Sequence, residues 1–77
     1  MIPPPRLDNR TLAKAARTLA AGAPVGSLAH AAAVSVAATC AATRNLAHAK
    51  DALAGIDPPR VRLAALQLFD RLTAPQR

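Results

Sequence analysis

Apolar side chains recur along this chain at helical rather than strand spacing. Leu12, Ala16 and Leu19 fall four and three apart, which lines one face of a helix. Asp8 just ahead of them is a favoured N-cap, so the first helix is expected to open there. Leu7 and Leu12 flank that cap as a hydrophobic staple. Gly22 suits a left-handed stop, and Pro24 suits the start of a next helix. That second helix is expected over Val25–Ala32, with Leu28 and Ala32 facing inward. Ala33-Val34 then makes a tight turn, and Ser35 caps a third helix by accepting from an orphan amide. Nothing strongly breaks the third helix before Gly55, so it runs from Val36 to Ala54, unbroken or kinked near Asn45. Leu46 and Leu53 read as core positions, with Arg44, His48 and Lys50 in solvent or on phosphate.

Gly55-Ile56-Asp57-Pro58-Pro59 is the clearest punctuation in the chain. Gly55 ends one helix, Asp57 caps the next, and Pro58 takes its first position. The fourth helix then reaches about Thr73 and stops before Pro75. Val61, Ala65, Leu68 and Leu72 share its apolar face, widened by Leu66 and Phe69. It either closes the core over the first helix or forms an oligomer contact. The pattern therefore predicts an all-α fold, a small bundle of about four helices containing a helix-turn-helix. Its parts are an extended proline-rich arm over 1–7, a helix-turn-helix domain over 8–54, and a C-terminal helix over 55–77 for packing, assembly or partner contact.

Composition narrows this picture. The chain has 77 residues, with one Phe, one Met and no Trp or Tyr. Most of its apolar side chains are alanine, so one thin core is expected, of a size that is marginal without staples or self-association. A homo-oligomer is expected for that reason. Cys40 is the single cysteine, which excludes an internal disulfide and fits a reducing, cytoplasmic setting. Thr18 to Thr43 carries no formal charge, but Gly22, Pro24, Gly26 and His30 interrupt it, so no membrane span is expected.

Ten Lys and Arg stand against four Asp and no Glu, a net charge of +6. That balance favours polyanions such as double-stranded DNA. Arg10, Lys14 and Arg17 share one face of the first helix, and Arg6 extends the line into the proline arm. Such a stripe neutralises phosphates and gives salt-dependent, sequence-tolerant affinity. Arg60, Arg62, Arg71 and Arg77 form a second basic region. If the third helix enters a major groove, Ser35, Thr39 and Thr43 offer hydroxyls, Val36 and Ala37 can touch thymine methyls, and Arg44 meets phosphate. The competing reading is that this helix is simply buried. The four Asp are too scattered to pair across a substrate. His30 and His48 lack a neighbouring ligand at metal spacing. Cys40 has no local group to activate it. No catalytic, metal or cofactor site is expected, and the chain does not read as an enzyme.

The stretch LAAGAPVGSLAHAAAVSVAAT, with Gly22, Ala29 and Ala33-Val34-Ser35, resembles the helix-turn-helix of phage-type proteins. DPPRVRLAALQLFDRL, Asp57–Leu72, resembles the helix that follows such motifs in small terminase subunits of tailed phages and phage-derived gene transfer agents. The resemblance implies a ring-forming, DNA-binding subunit that presents DNA to a large terminase subunit. It implies that the helix from Ser35 meets DNA, that the later helix supports assembly and that the C-terminal end contacts the large subunit, with Leu66, Phe69, Arg71 and Arg77 as the expected partner-binding residues. Ala33 stands where the family has a turn glycine, and Thr39 where it has a buried aliphatic residue. Early basic residues are also missing from the recognition helix, so the DNA binding expected is weak and largely nonspecific. Two other roles fit the same residues: a small helix-turn-helix transcriptional regulator, and a helical protein-interaction module that binds no DNA.

Overall fold

A computed structural model describes residues 8–74. The proline arm over 1–7, Leu7 of the staple, Arg6, Pro75 and Arg77 lie outside the described residues. Four helices follow in order: α1 (Asn9–Gly22), α2 (Leu28–Ala42), α3 (Leu46–Leu53) and α4 (Pro59–Thr73). The all-α fold expected from the sequence is the fold observed.

Three helix starts follow from local capping chemistry. The Asp8 carboxylate accepts from the Thr11 amide at 2.8 Å. The Ser27 hydroxyl accepts from the His30 amide at 3.1 Å, and the Asn45 side chain accepts from the His48 amide at 2.8 Å. Each satisfies a donor that the first helical turn leaves unpaired. Gly26, at φ +90°, turns the chain between α1 and α2. His30 Nδ1 then lies 3.0 Å from the Ala20 carbonyl, tying the first turn of α2 to the end of α1.

The turn expected at Ala33-Val34, with Ser35 as cap, is not there. Residues 28–42 form one continuous helix, and its cap is Ser27. The physical reason is composition. Eight of these 15 residues are alanine, and none is Gly or Pro; alanine is the best helix former. Val25, expected inside a helix, is 89% exposed in the α1–α2 connection. The kink expected near Asn45 is a full break instead. Thr43 leaves the helix in an extended conformation, and Asn45 caps α3. α4 also starts one residue later than expected. Pro58 is its N-cap position and Pro59 follows, and no side chain, Asp57 included, caps it. A proline at the first position has no N–H to satisfy. The Pro58 carbonyl receives both the Val61 and Arg62 amides at 3.0 Å.

α2 packs against α1, α3 and α4. This explains why it is apolar all round rather than on one stripe. The core joins Leu12, Ala13 and Ala16 of α1 to Val36, Ala37 and Cys40 of α2, Ala49 and Leu53 of α3, and Ala65 and Phe69 of α4. α4 thus closes over α2 and belongs to the same core. Among the described residues, Leu12, Leu53, Val36 and Cys40 are the largest side chains that are completely buried. Leu46, Leu66, Leu68 and Leu72 pack around that centre, partly buried. Leu19 and Leu28, expected to face inward, are 45% and 43% exposed; Ala20 takes the inward position on α1. Among the described residues, no helix is long and apolar enough to cross a membrane.

Two substitutions test this core. Ala33→Gly should destabilise the fold by about 1–2 kcal/mol in urea unfolding, because it puts glycine inside a helix and removes a buried methyl. A turn at this position would give no loss or a gain. Phe69→Ala should destabilise by about 3–5 kcal/mol through the cavity it leaves, whereas Arg71→Ala on the exposed face should change stability by no more than about 0.5 kcal/mol.

Candidate nucleic-acid interface

The basic stripe on α1 divides in two. Arg10 and Arg17 are both exposed and lie two turns apart, about 10 Å along the axis. They lean toward α2 and line a cleft of about 430 Å³ with Ala41, Thr43 and Arg44. Cys40 also borders it, and Asp8 and Asn9 stand at its α1 end. Lys14 leans the other way, toward Thr18 and Leu72. The cleft therefore gathers three guanidinium groups against one carboxylate. Lys50 and Asp70 form an ion pair away from this cleft, at 3.5 Å and largely exposed.

Arg44 reaches this cleft because the α2–α3 turn is held in place by Asn9. The Asn9 side-chain amide donates to the Thr43 carbonyl at 2.9 Å, the Thr43 hydroxyl at 2.8 Å and the Asn45 carbonyl at 3.1 Å. The Thr43 hydroxyl in turn donates to the Thr39 carbonyl at 2.7 Å. The carbonyls that α2 leaves open at its end are partly satisfied this way. One side chain of α1 thus fixes the bend from which Arg44 projects.

Nothing in the chain's relatives adds to this picture: no family model, curated protein or solved structure matches the chain.

The residues expected to touch DNA separate into two groups. Arg10, Arg17, Thr43 and Arg44 come together at the cleft, with Lys14 on the adjoining flank. Ser35, Val36 and Thr39 do not join them. Val36 is fully buried in the core, and Ser35 and Thr39 are half-buried in the middle of α2. They cannot form the exposed start of a reading helix, because that start does not exist. Thr43 spends its hydroxyl within the protein. Of the residues expected to meet a partner, Phe69 is a core side chain and Leu66 is half-buried against the core, while Arg71 is exposed. Asn9 was not among the expected residues. Its partners lie 34 to 36 positions away, and no local pattern marks such a contact.

Three arginines around one concave surface concentrate positive charge and hydrogen-bond donors there. Guanidinium groups match phosphate geometry with paired donors and stay charged at any physiological pH. Among the described residues, no group of three His, Cys, Asp or Glu side chains is placed to hold a metal ion.

Burial pushes the Cys40 thiol above its ordinary value of 9.0. The folded state therefore holds this proton more tightly than the unfolded state. Its contribution to stability is complete below pH 9 and is lost as the pH rises through the folded value. Urea midpoints measured from pH 8 to 11 should fall more steeply for the wild type than for Cys40→Ala. Parallel curves would show that the thiol is not desolvated.

Proposed function

We propose that this chain binds double-stranded DNA through its phosphates, weakly and largely without regard to sequence, and works as an adaptor in the cytoplasm. The observation that carries this reading is the cleft where Arg10, Arg17 and Arg44 converge, three guanidinium groups to the one carboxylate of Asp8. The net charge of +6 adds a long-range attraction to the same class of ligand. Sequence readout draws little support, because Val36 is in the core and Ser35 and Thr39 sit mid-helix. That argues against an operator-reading regulator. The narrower reading is a packaging adaptor like a small terminase subunit, self-associating and recruiting a large terminase. It draws on the resemblance over Asp57–Leu72 and not on residues 33–35, where the helix is continuous.

Duplex binding followed by fluorescence anisotropy between about 50 and 200 mM salt tests the proposal. With three arginines on phosphate, the logarithm of affinity should fall with the logarithm of salt at a slope of roughly −3. Arg10→Gln, Arg17→Gln and Arg44→Gln should each reduce that slope by about one. Asn9→Ala should weaken binding with charge unchanged, because it frees the bend that positions Arg44. Two unrelated duplexes should bind about equally. Absence of salt-sensitive binding at low ionic strength would sink the proposal.

A further inference from the structure

The flank of α1 opposite the arginine cleft carries a second surface. Between α1 and α4 lies a shallow cleft of about 440 Å³ that includes Lys14 and Leu72. A larger one, about 530 Å³, opens where α1, α2 and α4 meet. The two share Thr18 and Leu19, so they join into one trough running from Thr11 to Gly22. At 1.5 Å per residue that is about 16 Å, or three helical turns. Its wider end is floored by alanines of α2 and α4 and edged by Leu19 and Leu28, which are 45% and 43% exposed. Small side chains there leave room for another backbone to come close. Lys14 and Arg71 stand along its edge, and neither cleft is lined by any Asp or Glu.

We propose that this trough docks an amphipathic helix of about three turns from a partner protein, with carboxylates flanking its apolar face. The length comes from the trough, the apolar face from Leu19, Leu28 and the alanine floor, and the acidic flanks from Lys14 and Arg71. A second copy of this chain does not match that description. α1 and α2 contain no acidic residue, and α3 and α4 contain one each. The proposal does not depend on DNA binding, since Arg10, Arg17 and Arg44 lie on the other flank.

The probe is a synthetic three-turn helical peptide with leucines at i, i+3 and i+7 and glutamates beside them, alongside a twin with lysines in place of glutamates. The glutamate peptide should bind saturably and shift the amide resonances of Leu19, Leu28 and Leu68. The lysine twin should bind on the order of tenfold more weakly, and Arg71→Glu, which leaves Lys14 opposite one new carboxylate, should abolish that preference. Ala29→Trp, at an exposed position on the trough, should block the glutamate peptide while circular dichroism stays native. Equal binding of both peptides, no saturable binding, or shifts confined to Arg10, Arg17 and Arg44 would overturn the proposal. So would a sedimentation result in which wild type is dimeric and Ala29→Trp is monomeric, because a second copy would then fill the trough.

Discussion

The constraint behind every other feature is that α2 is a single uncharged helix touched on three sides. A 77-residue chain with one aromatic side chain has little apolar volume to fill a core. It gains cohesion by surrounding one helix with the other three, so that alanine methyls are buried by close approach of backbones instead of by bulk. Val36 and Cys40 supply what size α2 has, and Leu12, Leu53 and Phe69 reach it from the three neighbours. A turn in the middle of α2 would divide this scaffold in two and leave neither half enough surface to hold the rest.

Because the core is thin, the outer surface depends on polar clamps at helix ends. Asn9 fastens the start of α1 to the α2–α3 bend, and His30 fastens the end of α1 to the start of α2. α1 is thus held at both ends against α2 while alanines make the contact between. The arginine cleft is a by-product of the first clamp. Holding Thr43 and Asn45 against α1 leaves the intervening Arg44 pointing outward beside Arg10 and Arg17. The trough is a by-product of the alanine contact, since small side chains at the α1–α2–α4 junction leave space that a leucine would fill.

What the sequence made legible was local. The cap at Asp8 and the helix ends near Gly22 and Gly55 are read from one or two residues each and are observed there, but the left-handed stop expected at Gly22 is not: Gly22 is the last residue of α1, and the left-handed backbone falls at Gly26. Helical spacing puts Arg10, Lys14 and Arg17 on one face, but in the structure Arg10 and Arg17 share the cleft with Arg44 while Lys14 lies on the adjoining flank. The turn at Ala33-Val34-Ser35 was misread because small-Val-Ser is as comfortable inside an alanine helix as at a turn. No glycine at 33 was present to decide the matter. Leu19 shares its helical spacing with Leu12 and Ala16, and Leu28 shares its with Ala32, yet both leucines stay partly exposed. When most neighbours are alanine, a helix has no strong inward face, and packing chooses the smaller residue. The role of Asn9 was invisible for a different reason: it depends on a contact that exists only after three helices have folded.

α1 emerges as a shared wall, with arginines on one flank and an apolar trough on the other. The two proposed ligands, DNA phosphate and a carboxylate-flanked helix, carry the same sign of charge, so their compatibility turns on distance. They would be separated by the diameter of α1 with its side chains, about 10–12 Å. The screening length at physiological ionic strength is about 8 Å. Repulsion across the helix is therefore mostly screened, and each ligand faces its own cations: Arg10, Arg17 and Arg44 on one side, Lys14 and Arg71 on the other. A single alanine-rich helix clamped at both ends is enough to keep the cleft and the trough on separate flanks.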